Sequence, residues 1–166
     1  MKSFSWDRAG QRGFSLIELL VVVLILGVLA AVAAFPSSVD SAAADLDLAE
    51  VQVRDAFATA QTVAYSMGEP CGVVFDPLHE RFAVVLQDGK AVPDPLTHGP
   101  YEIDFRHIEQ PRGVGISSAS FGATGMAGIM DGSGVPVTGG NVVLSKGSST
   151  RTLVLDAATG KIAAAP

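Results

Sequence analysis

From Phe14 to Phe35 the chain is apolar at every position except Ser15 and Glu18. Roughly twenty-two such residues make about 33 Å of helix at ~1.5 Å per residue, enough to cross a hydrocarbon layer. Gly27 lies inside this block and Pro36 closes it; a proline's missing N–H and ring clash kink or loosen a continuing helix. Ser37, Ser38, Asp40 and Ser41 then offer N-cap oxygens. Apolar side chains resume at intervals of three or four, through Leu46, Ala49, Val53, Ala56, Phe57, Ala60, Val63, Ala64 and Met67. Asp45, Asp47, Glu50, Arg54, Asp55, Thr59 and Thr62 fall largely off that stripe. The spacing therefore predicts an amphipathic helix whose Phe57 and Val63 lie against a sheet, with Gly68 and Pro70 as its stop.

After Pro70 the period shortens. Apolar runs at Gly72 to Phe75, Arg81 to Leu86, Tyr101 to Phe105, Val114 to Ser118, Met126 to Met130, Asn141 to Ser145 and Thr150 to Leu155 are each bounded by turn formers. Tyr101, Ile103 and Phe105 alternate with Glu102 and Asp104, as in a strand with one buried face. The fold class that follows is α+β: a long N-terminal helix, with a transmembrane half and an amphipathic half, packed on a C-terminal antiparallel β-sheet domain. The segments are expected at 1–13, a leader; 14–36, a transmembrane and assembly helix; 37–68, the amphipathic helix; and 69–166, the β-rich domain.

Charge sharpens this division. The net charge is −6, yet the first thirteen residues hold Lys2, Arg8 and Arg12 against Asp7, so the remainder carries −8. A basic flank before an apolar block favours a cytoplasmic N-terminus. A body that acidic repels phosphate backbones, so no nucleic-acid partner is expected. Cys71 is the single cysteine, which excludes an intramolecular disulfide and a thiolate metal cluster.

The run Gly13-Phe14-Ser15-Leu16-Ile17-Glu18-Leu19-Leu20-Val21-Val22-Val23 resembles the class III signal of type IV pilins and type II secretion pseudopilins. The resemblance implies that a prepilin peptidase cuts between Gly13 and Phe14, that Phe14 becomes the N-methylated first residue, and that Glu18 is the acidic assembly residue at mature position five. A carboxylate inside a membrane segment costs about 2.5–3.5 kcal/mol on insertion scales, so it calls for a partner. The resemblance supplies one in the freed α-amine of Phe14, on the same chain or on a neighbouring subunit. An ordinary secretory signal, cut near Ala31-Val32-Ala33, competes with this reading but requires neither Gly13-Phe14 nor Glu18. A plain single-pass anchor leaves both unexplained.

The body narrows the resemblance. Cys71-Gly72-Val73-Val74-Phe75-Asp76-Pro77, with the strand through Phe82 and Val84 and the Asp88-Gly89 turn, is similar to the opening hairpin of GspH/FimT-type domains. Gly140 to Leu144, Arg151 to Leu155 and Thr159-Gly160-Lys161-Ile162 are similar to their closing hairpin and final turn. This implies a minor pseudopilin of a type II secretion pseudopilus, in the inner membrane by a single pass with its C-terminal domain in the periplasm. Its partners would be prepilin peptidase and other pseudopilins or pilins. The alternative is a FimT-like minor type IV pilin for pilus assembly or DNA uptake.

Catalytic and metal chemistry find little support. His79, His98 and His107 lack the close spacing of a metal motif. Gly122, Gly125 and Gly128 have no following Lys-Ser/Thr, and Asp131-Gly132-Ser133-Gly134 lacks the further acids of a calcium loop and reads as a turn. Ser145, Ser148, Ser149 and Cys71 have no base that the sequence places beside them. No cofactor and no enzymatic activity are expected.

Overall fold

The computed structural model describes residues 15–33 and 41–165. The chain divides into two units, Met1–Ser38 and Val39–Pro166, each described here by itself. In the first unit, helix α1 spans Leu16–Ala33. The second holds helix α2 (Ser41–Met67) and strands β1 (Cys71–Asp76), β2 (Arg81–Leu86), β3 (Glu102–Asp104), β4 (Gly115–Ser120), β5 (Ala127–Met130), β6 (Gly140–Lys146), β7 (Ser149–Leu155) and β8 (Ile162–Ala164). All pairings are antiparallel, in two four-stranded sheets ordered β3-β2-β1-β5 and β4-β6-β7-β8.

Turn chemistry sets these registers. Between β1 and β2, the Asp76 carboxylate accepts a hydrogen bond from the His79 N–H at 3.2 Å and closes a short 3-10 turn over Pro77–His79. Between β6 and β7 the loop is only Gly147-Ser148, with Lys146 opposite Ser149. Gly147 there takes φ 59°, the left-handed backbone that two-residue hairpins need and that glycine adopts without steric cost. The seven expected β runs all lie on strands, within a residue or two at each end. β8 is an eighth strand, and Gly122–Thr124 forms a 3-10 turn.

The stripe on α2 faces both sheets. Leu46, Ala49, Val53, Ala56, Phe57, Ala60 and Ala64 are buried, Val63 packs half-buried at the margin, and Met67, the last residue of the helix, is exposed. Phe57 is the largest residue on the stripe. Its ring lies 6.0 Å from that of Phe75 and 5.9 Å from that of Phe121, and Phe75 continues to Phe82 at 5.6 Å and from there to Phe105 at 5.7 Å. Tilted and offset pairs at such separations add about 0.5–1.5 kcal/mol each beyond area burial.

Against the second sheet the same helix is fastened by charge. Glu50, off the apolar stripe by sequence, is nevertheless buried, because Arg151 of β7 reaches its carboxylate at 2.7 Å and Arg54 reaches it at 2.5 Å. Arg151 also meets Asp47 at 2.7 Å, and Lys146 at the end of β6 pairs with Asp45. A buried carboxylate is tolerated where cations satisfy both oxygens. The acids of the first α2 turns thus hold the β6–β7 hairpin.

Candidate functional site

Ser15 precedes α1 and caps it: the Glu18 N–H reaches the Ser15 carbonyl oxygen at 3.0 Å and its hydroxyl oxygen at 3.4 Å. The Ser15 hydroxyl thus serves as an N-cap acceptor, a local role that the membrane pattern hides. A carboxylate in the first turn also complements the positive end of the helix dipole.

Beyond this cap α1 is apolar on every face. Side chains from Leu16 to Leu29, among them Ile17, Leu20, Leu24 and Ile25, are half-exposed or more. A helix apolar all round belongs inside a protein core or a membrane and not in water. Glu18 is the one charge among them, and it too is exposed. Gly13 and Phe14, the expected cleavage and methylation residues, lie outside the described residues. Among the described residues no helix is long and apolar enough to cross a membrane. α1 has 18 residues, about 27 Å at ~1.5 Å each, against the longer expected block whose Phe14, Ala34 and Phe35 also lie outside.

The body's other chemical residues have structural occupations. His79 Nδ1 is 2.7 Å from Asp76 Oδ2 and His107 Nδ1 is 2.9 Å from Asp104 Oδ2, two separate exposed pairs. Among the described residues no cluster of His, Cys, Asp or Glu could hold a metal ion. Asp131 Oδ1 accepts hydrogen bonds from the Ser133 hydroxyl at 2.6 Å and from the N–H groups of Ser133 and Val135, the expected turn. Thr124 Oγ1 lies 2.6 Å from the carbonyl oxygens of Phe121 and Ala127, tying up the glycine-rich loop. Ser145 Oγ accepts from Ser117 Oγ at 2.7 Å, and Cys71 is buried, which pushes its thiol pKa up and away from thiolate.

Several carboxyls titrate below their ordinary value: Asp45 mainly through Lys146, Asp76 mainly through His79, and Asp131 mainly through the Ser133 hydroxyl. A depressed folded pKa means that the unfolded chain takes up protons first, so stability is full above about pH 4 and falls as acid protonates the folded groups. Urea melts of the unit from Val39 onward should give a flat stability from pH 7 to 5 and a decline below 4. The Asp45→Asn variant should show a shallower decline.

The profile of the prokaryotic N-terminal methylation motif matches residues 8–34, which include Gly13, Phe14 and Glu18. The fold is similar to the crystal structure of the type IV minor pilin FimU from Pseudomonas aeruginosa PAO1. The TM-score is 0.50 over 73% of this chain and 88% of that chain, at 18% sequence identity. The chain is type IV pilin-like. Among curated proteins none matches it in sequence.

The N-terminal segment carries the methylation motif, and the fold is pilin-like. Of the two units, the first carries that motif and the apolar helix; the second is a helix-on-sheet body in which ring packing and ion pairs fix one arrangement of α2. The motif was legible because it is contiguous. The capping role of Ser15 was legible too, in the serine three residues before Glu18, but was masked by reading that stretch for hydropathy alone.

Proposed function

We propose that the chain is a minor pseudopilin of the GspH/FimT kind, a subunit of a type II secretion pseudopilus. Prepilin peptidase cuts between Gly13 and Phe14 and leaves Phe14 N-methylated. Residues 1–13 are the leader, 14–36 hold the chain by a single pass in the inner membrane, 37–68 are the amphipathic helix that packs on the sheets, and 69–166 form the β-rich domain, which lies in the periplasm. Glu18 is the residue on which assembly turns.

The observation that carries this reading is a lone carboxylate on a helix that is apolar on every face. Lipid accepts such a helix but charges about 2.5–3.5 kcal/mol for the ionised acid. The α-amine of a neighbouring Phe14 removes that cost and at the same time fixes the axial register between subunits. On α2, Leu48 and Val51 stay exposed on the face away from the sheets, which offers neighbours a second apolar contact. A FimT-like minor pilin would use the same Glu18 pairing, so pilus assembly is the alternative; for DNA uptake the net charge of −6 has the wrong sign.

Replacing Glu18 by Leu tests the register role. The variant should still be inserted and cut, with mass spectrometry placing its N-terminus at a methylated Phe14, but it should be absent from sheared filaments. Normal incorporation of the variant would remove Glu18 from assembly, and a wild-type N-terminus intact at Met1 or starting near Ala34 would remove the processing scheme.

A further inference from the structure

The outer face of the first sheet is covered by nothing among the described residues. Inward, β1, β2 and β5 bury Val73, Phe75, Phe82, Val84 and Met130; outward, the same strands present Val74, Ala83, Val85, Ala127 and Ile129. Val137 extends this floor, because its N–H bonds to the Ile129 carbonyl at 2.8 Å and lays the segment after the Asp131 turn along the β5 edge. Val74 is 38% exposed and Val137 56%. Two depressions of about 450 and 390 Å³ share Val74 and Val85 and so form one groove along the strands.

Both ends of the groove are acidic. At one, Asp76 and Glu102 share Arg81, at 3.2 and 3.0 Å, and Asp76 also meets the His79 imidazole at 2.7 Å, so two carboxylates face one permanent cation. At the other, Asp131 is satisfied by a hydroxyl and backbone N–H groups and keeps its full charge. Asp131 directly follows Met130, which pairs with Cys71, five residues from Asp76 along β1. Asp131 stands one step beyond that pair, six residues from Asp76, so the two excess charges are about 20 Å apart at ~3.4 Å per residue. Exposed Val74 and Val137 beside half-buried Val85 and Ile129, with a polar rim, are the makings of a protein contact. Anionic lipid and nucleic acid are disfavoured by the acidic ends, and a second copy of this chain, itself at −6, brings the same sign.

We infer that this groove docks an extended segment of a different subunit, in which an apolar stretch is bracketed by two cations about six residues apart on the same face. The inference rests on the reading of the chain as an assembly subunit and specifies the neighbour's chemistry. The apolar stretch covers Val74, Val85 and Ile129, and the cations reach the Asp76–Glu102 pair and Asp131.

The probe is a fluorescent peptide, Lys-Thr-Val-Thr-Val-Thr-Lys, which puts both lysines and both valines on one face when extended; it is titrated by anisotropy against the full chain in a neutral detergent, beside a control peptide with both lysines replaced by glutamate. The lysine peptide should bind at least about tenfold more tightly, by electrostatic complementarity, and should weaken as salt rises from about 0.05 to 0.5 M. Val137→Lys and, separately, Val74→Lys place a cation on the exposed floor and should each weaken it about tenfold; a folded circular dichroism spectrum qualifies either variant. Equal binding of the two peptides, no binding of the lysine peptide, or unchanged binding by a folded variant overturns the inference. Binding is read here without any filament, so such a failure leaves the assembly reading standing, whereas a Glu18→Leu chain that still assembles would remove that reading and not the groove.

Discussion

Truncating Phe57 to alanine is expected to destabilise the body by about 3–5 kcal/mol, the range for deleting a buried aromatic side chain. The ring is 2% exposed and is the only aromatic residue that α2 contributes to the chain of rings through Phe75, Phe82, Phe105 and Phe121. Its loss removes contacts to both sheet and loop and leaves a cavity that neighbouring phenylalanines fill poorly. Such a loss is a large share of the 5–15 kcal/mol that holds a typical domain. The matched control is Asp47→Ala on the same helix. Its side chain is 62% exposed and its bond to Arg151 is a surface ion pair, so about 0–1 kcal/mol is expected. Urea melts of the unit from Val39 onward compare the two, and equal small effects would show that α2 is not held by its rings.

The second large effect comes from adding one carbon where the first removes a ring. A Cβ built on Gly128 would stand 2.5 Å from Phe57 Cε1, 2.7 Å from Cζ and 3.1 Å from Phe121 Cε1. Gly128 is on β5 opposite Val73, so the strand cannot retreat without breaking its ladder, and the ring is fixed by its neighbours. Gly128→Ala should therefore cost about 1–3 kcal/mol or more as overpacking. In a Phe57→Ala background the added methyl enters vacated space and should cost little or even restore stability. A double-mutant cycle that came out additive would mean that the two residues do not share this space.

Gly128 also shows why part of the fold escapes the sequence. Its neighbourhood of Gly122, Gly125 and Gly128 looks like loop chemistry, but only the pairing of β5 with β1 and the placing of α2 above them turn one of these glycines into a seat for an aromatic ring. The helix stripe was readable because periodicity is local: Phe57 and Ala60 fall where spacing puts them, and Met67, the last residue of the helix, is exposed. Glu50 looked like a solvent-facing acid because its partner, Arg151, is 101 residues away. β8 is three residues long, too short to raise a pattern above its alanine-rich surroundings.

The candidate site divides in the same way. Gly13, Phe14 and Glu18 lie within one contiguous stretch, and the motif that contains them is matched along the sequence without any tertiary structure. The groove on the outer face has no linear signature at all. Val74, Val85 and Ile129 come from three separate strands, and only their cross-strand register makes them one surface.

The burial of Cys71 has a practical side. It is the one thiol of the chain and lies in the core at the start of β1, shielded from reagents while the body stays folded. A cysteine introduced at an exposed position, beside Glu18 or in the groove at Val137, would then be the sole accessible sulfhydryl. Neighbours in an assembled filament could be mapped by site-directed crosslinking on the natural background, without first engineering a thiol-free parent.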